Sequence, residues 1–211
     1  MKSEERTDWD SYYQRPFPAS SLTRRYTTSR LIDSIRKNVR DKRPGIAELG
    51  GANSCFFKPI AAAIDFAEYH IVDNSKVGLQ RTATLASTDD RLTFEDSDVL
   101  TWNAPKRYDL VFSVGLIEHF DIPTTADLVK RHFAAARPGG VVIISVPTPT
   151  ALYRVTRAAA EVLSMWQFPD ERPLMFGELQ TAASGLGTLL HKEILWPIVL
   201  TQLMASYRVP S

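Results

Sequence analysis

The chain has 211 residues, of which 44% are hydrophobic and 23% are charged, and its formal net charge is +1 at pH 7. This composition is typical of a folded domain, and the small net charge argues against a nucleic-acid-binding protein. The single cysteine, Cys55, excludes an intramolecular disulfide. We find neither a secretory leader nor an uninterrupted apolar stretch of about 18 residues, so we expect a cytoplasmic protein without a membrane span.

Strand and helix patterns alternate along most of the chain. The aromatic lead-in "WDSYYQRPFP" precedes a helix that is predicted from residue 20 or 21 to the Pro44-Gly45 pair. Five strands then follow, with predicted helices between them: "GIAEL", "EYHIVD", a third within "RLTFEDSDVL", "DLVFS" and "VVIISVP". A helix is predicted directly after "DLVFS", and the helix "TADLVKRHFAAARPGG" is predicted to end at Pro138 and the glycines. This alternation indicates a parallel sheet covered by helices on both faces.

The C-terminal part follows a different pattern. Two predicted helices, "ALYRVTRAAAEVLSMW" and "MFGELQTAASGLG", precede two consecutive strands, "TLLHKEILW" and "IVLTQLMASYR". Consecutive strands indicate an antiparallel hairpin at the edge of the sheet. We therefore predict one Rossmann-like α/β domain, doubly wound and mostly parallel, with seven strands and a C-terminal antiparallel hairpin. Residues 1–43 are interpreted as an N-terminal lid and first helix, and 44–211 as the core, with an insertion around 148–177.

Small and acidic residues stand at the carboxyl ends of the predicted strands, where ligands bind in sheets of this type. The first strand carries Glu48 and runs into the turn Gly50-Gly51-Ala52, and the second strand ends at Asp73, which Asn74 follows. A carboxylate about 20 residues beyond a glycine turn suits a ribose diol, because it accepts both hydroxyl hydrogens. Small residues in the turn let the backbone approach a ligand closely.

The third and fourth strands offer further candidates. Asp98 could accept a hydrogen bond from an adenine amino group, while the backbone N–H of Val99 donates to a ring nitrogen. Ser113 stands at the end of the fourth strand. Each of these residues alone would be ordinary surface chemistry, but their common position at strand ends favours a nucleotide-like ligand.

The order of these segments resembles the class I S-adenosylmethionine-dependent methyltransferases over roughly residues 9–211. "AELGGANS" is similar to the family's first motif, acid-x-G-x-G-x-G, although Ala52 and Ser54 stand where the family usually has glycines. "VDNS", "EDSDVL", "YDLVFSVGLIEHF" and "RPGGVVIISVP" resemble the motifs of the next four strands. The resemblance implies S-adenosylmethionine as cofactor, bound by Tyr13, Glu48, Gly50, Gly51, Ala52, Asp73, Asn74, Asp98, Val99 and Ser113.

NAD-linked dehydrogenases are the nearest alternative, because they share the sheet, the glycine turn and the ribose acid. Their G-x-G-x-x-G spacing, counted from Gly50, requires a glycine where this chain has Cys55. The closing hairpin also fits a methyltransferase better. Ala52 is compatible with the turn provided that its φ is negative, since a left-handed conformation would cost roughly 1–2 kcal/mol.

The resemblance also implies candidates for catalysis. A hydroxyl acceptor needs a base, and His119 in "GLIEHF" is the first candidate because an imidazole titrates near neutrality. Glu118 could orient the site. His132 and His191 are interpreted as ordinary surface or strand residues. The four histidines show no ligand spacing, so we predict no catalytic metal.

The acceptor is predicted from the segments that flank the core. The lid, through Tyr12 or Tyr13, and the aromatic segment 148–177 suit a small apolar or ring-bearing molecule, methylated at oxygen in preference to nitrogen. A dimer contact and core packing are the alternative interpretations of the aromatic residues in 148–177. No Asn-Pro-Pro-Tyr-type signature follows the fourth strand, so a nucleic-acid substrate is disfavoured. A peptide or protein methyltransferase and a non-catalytic, cofactor-binding scaffold stay open as alternatives, as does a homodimer.

Overall fold

A seven-stranded mixed sheet forms the centre of the fold. The computed structural model describes residues 6–14, 20–85, 89–195 and 200–211, and the side chains of residues 13, 14 and 20–22 lie outside this description. The strands are β1 (Gly45–Leu49), β2 (Glu68–Asp73), β3 (Leu92–Asp96), β4 (Tyr108–Val114), β5 (Ala136–Pro147), β6 (Thr188–Leu195) and β7 (Gln202–Arg208). Their order is β3-β2-β1-β4-β5-β7-β6.

Helices cover both faces of this sheet. They are α1 (Trp9–Gln14), α2 (Ser20–Asn38), α3 (Phe57–Ala63), α4 (Lys76–Leu85), α5 (Ile122–Ala135), α6 (Ala151–Val162) and α7 (Phe176–Ala182), and a 3₁₀ turn spans Ile117–His119. Because side chains alternate along a strand, each strand contributes to two cores. Ile46 of β1 packs with Leu31 and Ile35 of α2, whereas Ala47 packs with Leu128 of α5 on the opposite face.

The strand pairing confirms the predicted architecture. β3, β2, β1, β4 and β5 pair in parallel, and β5-β7-β6 pair antiparallel as the closing hairpin. From β1 the chain builds the sheet in one direction as far as β3, and it then returns to add β4 on the other side of β1. The strand order therefore reverses between the neighbouring strands β1 and β4. The carboxyl ends of these two strands therefore border a crevice in which a ligand can bind.

Two local predictions are wrong. The helix that was predicted to run to Pro138 ends at Ala135, because Ala136 takes extended dihedrals of φ −82° and ψ 145° and pairs with Tyr108 of β4. The pairing register of β5 with β4 shifts between Ala136 and Val141, and Gly139, with φ of +72°, lies within this irregular stretch. The helix predicted directly after β4 is only the 3₁₀ turn Ile117–His119. None of the described helices is both long enough and apolar enough to span a membrane.

Candidate functional site

The turn after β1 depends on its two glycines. Gly50 has φ of +72°, and its N–H donates to the carbonyl of Val72 at 2.9 Å. A Cβ at Gly50 would lie 2.8 Å from Leu116 Cδ1, and one at Gly51 would lie 2.6 Å from Glu48 Cδ. Any side chain at either position would displace its neighbours, so the turn brings bare backbone to the end of β1.

Glu48 supports this turn from inside the protein. Its Oε2 accepts hydrogen bonds from Ser54 Oγ at 2.7 Å and from the Tyr69 hydroxyl at 2.6 Å. Burial raises the pKa of Glu48 to about 7, because desolvation outweighs these two donors. Ser54, which stands where the family usually has a glycine, also accepts from the N–H of Phe57, the first residue of α3, at 3.1 Å. The acid at the end of β1 therefore fixes the loop.

Asp73 joins the glycine turn to the end of β2. Its buried carboxylate accepts from the Ala52 N–H at 3.0 Å and from the Ser75 N–H at 2.8 Å. Burial raises the pKa of Asp73, opposed by these backbone donors. Ala52 does not have a positive φ, since among the described residues Ser164 is the non-glycine residue that does. Ala52 therefore meets the requirement for a negative φ in the turn. The Ser75 hydroxyl donates to Asp10 at 2.6 Å, which ties α1 to this region.

The remaining predicted cofactor residues differ in their exposure. Asn74 is exposed beyond β2, and Asp98 is exposed and accepts from the Leu100 N–H at 2.8 Å. Val99 is buried. Tyr13 belongs to α1, but its side chain lies outside the described part of the chain.

Ser113 faces away from the crevice. Its hydroxyl is fully buried, 2.9 Å from Nε2 of His132 on α5, and His132 Nδ1 lies 2.7 Å from the Leu128 carbonyl. Nδ1–H therefore donates to the carbonyl, and Nε2 accepts from Ser113. Burial lowers the pKa of His132 to about 4, so this imidazole is neutral at pH 7. The interpretation of His132 as a surface or strand residue is wrong, and the Ser113 side chain is directed into the helix layer.

A cavity of about 660 Å³ opens beside the glycine turn, within the range of small-molecule sites. It brings together Glu48, Gly50 and Gly51 from the predicted cofactor set with Glu118 and His119 from the predicted catalytic set. Ala52, Asp73, Asn74, Asp98, Val99 and Ser113 do not line it. The N-terminal segment and residues 148–177 supply aromatic walls: Trp9, Tyr12, Tyr153, Trp166 and Phe168.

His119 is held by a carboxylate that the sequence did not suggest. Its Nδ1 lies 3.0 Å from Asp170 Oδ1, and its ring packs edge-on against Trp9 with 4.8 Å between ring centroids. Since a carboxylate only accepts, Nδ1 carries the proton and Nε2 of the neutral ring is free to accept one. Burial by itself lowers the pKa of His119. The hydrogen bond to Asp170 and the charges of Glu118 and Glu171 raise this pKa by more than burial lowers it, so the net shift is upward.

Asp170 also holds the N-terminal segment. It accepts from the N–H of Thr7 at 3.1 Å and from the Thr7 hydroxyl. Burial opposes the charged form, yet the donors His119 and Thr7 keep the pKa of Asp170 well below its usual range. Asp170 is therefore ionised and connects the lid to the imidazole.

Glu118 and Glu171 place two more carboxyl groups beside His119. Glu118 is 1% exposed, and its Oε1 lies 3.9 Å from His119 Nε2. Glu171 accepts from the Tyr153 hydroxyl. Burial raises the pKa of Glu118 to about 7 and also raises the pKa of Glu171. The segment "FPDERP" that contains Asp170 and Glu171 has no periodic pattern, and its one signal was an acidic pair among aromatic residues.

Comparison with known proteins agrees with this geometry. Residues 47–142 match a family model described as a methyltransferase domain. A search of curated proteins finds no match. Among solved structures, N-methyltransferase NodS from Bradyrhizobium japonicum WM9, in complex with S-adenosylhomocysteine, is 13% identical with a TM-score of 0.70, over 96% of this chain and 93% of that chain.

A second solved structure has the same fold. Magnesium protoporphyrin IX methyltransferase from Synechocystis PCC 6803, with bound S-adenosylhomocysteine, is 11% identical with a TM-score of 0.70, over 90% of this chain and 84% of that chain. The family match covers the strands whose ends carry the glycine turn and Asp73. The chain therefore contains a methyltransferase domain at residues 47–142, in a fold that it shares with these two methyltransferases.

Proposed function

We propose that this enzyme methylates a hydroxyl group of a small, ring-bearing molecule, with His119 as general base. The observation that carries the proposal is the His119–Asp170 pair, in which Nδ1 donates to a carboxylate at 3.0 Å and Nε2 is left to accept a proton at the cavity. A hydroxyl must lose its proton as it is methylated, whereas an amine only has to be held unprotonated. A positioned base is typically worth about 10²–10⁴ in rate.

The residues at the glycine turn fit S-adenosylmethionine. Gly50 and Gly51 expose backbone to the cavity, and Asp73 lies one hydrogen bond away from that turn, at the position proposed for the ribose hydroxyls. Arg24 lines the same cavity and donates to the Tyr12 hydroxyl at 2.6 Å, which suits it to the methionine carboxylate. We keep Asp98 and the Val99 N–H as the proposed adenine contacts and Asn74 as a neighbour of the ribose.

The proposed role of each side chain follows from its contacts. When bound, S-adenosylmethionine supplies the methyl group: the oxygen–carbon bond forms as the sulfur–carbon bond breaks, and the bonding pair leaves with sulfur. The hydroxyl proton passes to His119 Nε2. Asp170 fixes the tautomer and stabilises the resulting imidazolium, and Trp9 covers the ring and excludes water.

The aromatic walls support a small acceptor. Tyr12, Trp166 and Phe168 come from the N-terminal segment and from the segment after α6, and they line the same cavity as the glycine turn. Flat apolar walls favour a ring over an extended polymer. The alternatives are N-methylation, as the name of NodS states for that protein, a peptide acceptor, and a subunit that binds cofactor without turnover.

Two measurements test the proposal in sequence. Calorimetric titration with S-adenosylhomocysteine should give micromolar affinity that Asp73→Ala abolishes, and no binding would support a scaffold. A screen of phenols, amines and peptides should then give S-adenosylhomocysteine only with hydroxyl compounds. His119→Gln should lower kcat by about 10²–10⁴, whereas the control His191→Gln, on the edge strand β6, should leave kcat unchanged. Turnover of an amine that is insensitive to His119→Gln would refute the role in O-methylation.

A further inference from the structure

The carboxyl groups of Glu118 and Glu171 meet in the same cavity as His119. One oxygen of each and one nitrogen of His119 all lie within 4.8 Å of one another. Glu118 is 1% exposed, and within the described part of the chain its Oε2 has no hydrogen-bond partner. An unpaired buried carboxylate oxygen is costly, and its position on the cavity wall indicates that a bound molecule supplies the missing donor.

The nearby cationic groups leave this pair incompletely neutralised. Arg157 donates to the backbone carbonyl of Glu171 at 2.8 Å and to the Glu161 carboxylate at 2.7 Å. The imidazole of His119 donates to Asp170, and its Nε2 is 3.9 Å from Glu118, which is too long for a hydrogen bond. The described contacts therefore place no cationic donor on the free oxygen of Glu118.

We propose that the acceptor carries a protonated amine, which Glu118 and Glu171 bind beside His119. A hydroxyl group would satisfy the free oxygen, and a cation would in addition offset the repulsion between the two carboxyl groups in their charged form. An ammonium nitrogen with hydrogen bonds of about 2.8 Å can reach oxygens up to about 5.6 Å apart, so it fits between the pair. The inference rests on the proposed function, because it names the class of acceptor for the same site.

The walls of the cavity indicate an organic cation. Trp9 packs edge-on against His119, and Trp166 packs edge-on against Tyr153 with 6.3 Å between centroids. Since the Tyr153 hydroxyl donates to Glu171, aromatic rings lie next to the groups that contact the carboxyl pair. These walls leave space for a hydrocarbon ring that a bare metal ion would not fill. The proposed substrate class is an amino compound that contains a ring and a hydroxyl group.

The test compares matched probes in which the ammonium group is present, is absent or is replaced by a hydroxyl group. Protein saturated with S-adenosylhomocysteine is titrated at pH 7 with tyramine and with 4-ethylphenol, and then with benzylamine and with benzyl alcohol. The amines should bind about tenfold more tightly or better, since hydrogen bonds to charged groups are the stronger ones. Glu118→Gln and Glu171→Gln should bring the ratio close to one. The control Asp127→Asn, an exposed residue paired with Lys130 on α5, should keep it.

Each other outcome overturns the inference. Equal affinity for amine and neutral probe, or no measurable binding of any probe, would remove the ammonium subsite. Loss of S-adenosylhomocysteine binding in Glu118→Gln would assign the carboxylate to the cofactor's own amino group, and tighter binding of Mn²⁺ than of the amines would assign the cluster to a metal ion. The proposed function fails separately, when wild-type protein binds no cofactor or methylates no hydroxyl compound.

Discussion

The pairing of His119 with Asp170 predicts a specific change in the pH dependence of the enzyme. The substitution Asp170→Asn keeps the shape of the side chain and an acceptor for Nδ1–H but removes the negative charge. Both partners are well shielded, with side chains 7% and 16% exposed, so solvent screens the interaction little. A hydrogen bond to a charged group contributes about 1.5–3 kcal/mol, and a change of one unit in a pKa corresponds to about 1.4 kcal/mol.

The sign of the effect follows from which form of His119 is active. The neutral imidazole is the base, so the rate is present above the pKa of His119 and is lost as pH falls through it. In the wild type this pKa is raised, which places the inflection above about 6.5. Without the Asp170 charge, burial dominates, and the inflection should move to lower pH by roughly one to two units. Loss of imidazolium stabilisation should also lower the plateau of kcat by about 10- to 100-fold.

The assay has a direct and a kinetic arm. The ring protons of His119 are followed by NMR from pH 5 to 9 in wild type and Asp170→Asn, which needs no acceptor, and rates of S-adenosylhomocysteine formation are measured over the same range. Asp170 also holds Thr7, so Thr7→Val serves as the control that disturbs the lid contact but leaves the carboxylate on the imidazole. An unchanged titration midpoint in Asp170→Asn would refute the reasoning.

Three further predictions concern the glycine turn, the core and the lid. Gly51→Ala should lower the unfolding free energy by about 1–3 kcal/mol and weaken S-adenosylhomocysteine binding, because the new Cβ would lie 2.6 Å from Glu48 Cδ. Denaturant titration and calorimetry measure the two effects. Gly177→Ala is the control for both, because a Cβ there would meet no atom within 4 Å. Protonation of His132 should lower the unfolding free energy by about 3 kcal/mol from pH 6.5 to pH 4, because this imidazole takes up a proton more readily in the unfolded state than in the folded state. Denaturant titrations of His132→Gln should show a weaker pH dependence. Trp9→Ala should lower kcat about tenfold, a barrier increase of about 1.4 kcal/mol, and leave cofactor affinity unchanged in calorimetry.

The sequence predicts the strand order and the cofactor end of the site because both follow from local patterns. Strands buried on two faces read as apolar runs, and parallel strands bring their carboxyl ends to one edge. The Ala52–Asp73 hydrogen bond connects the turn after the first strand with the acid at the end of the second, two strand ends that the sequence pattern predicts to be neighbours. Ser113 shows where the pattern is insufficient. It lies at the end of its strand as predicted, but its side chain is on the same face as Val111 in the core, and the next residue, Val114, lines the cavity. Which face a residue takes at a strand end depends on one residue of register.

The acceptor side could not be predicted in the same way, because long-range contacts between irregular segments build it. His119 and Asp170 are separated by 51 residues, and Thr7 and Asp170 by 163. A loop without periodicity gives no signal of which distant side chain its carboxylates will meet. The sequence identified His119 as a candidate base but not the residue that orients it, and Glu171 was missed for the same reason.

These contacts also divide the chemistry of the enzyme between two parts of the chain. Cofactor-side residues, from Glu48 to Asp73, and His119 itself lie within residues 47–142, the region that matches the family model. Thr7, Trp9 and the Asp170–Glu171 pair lie outside it. The N-terminal segment contacts both parts, since Asp10 accepts from Ser75 beside Asp73 while Thr7 donates to Asp170 beside His119. Exchange of residues 47–142 for those of another protein that matches the family model should therefore preserve cofactor binding, whereas the preference for a ring-bearing acceptor should follow the aromatic residues of the flanking segments.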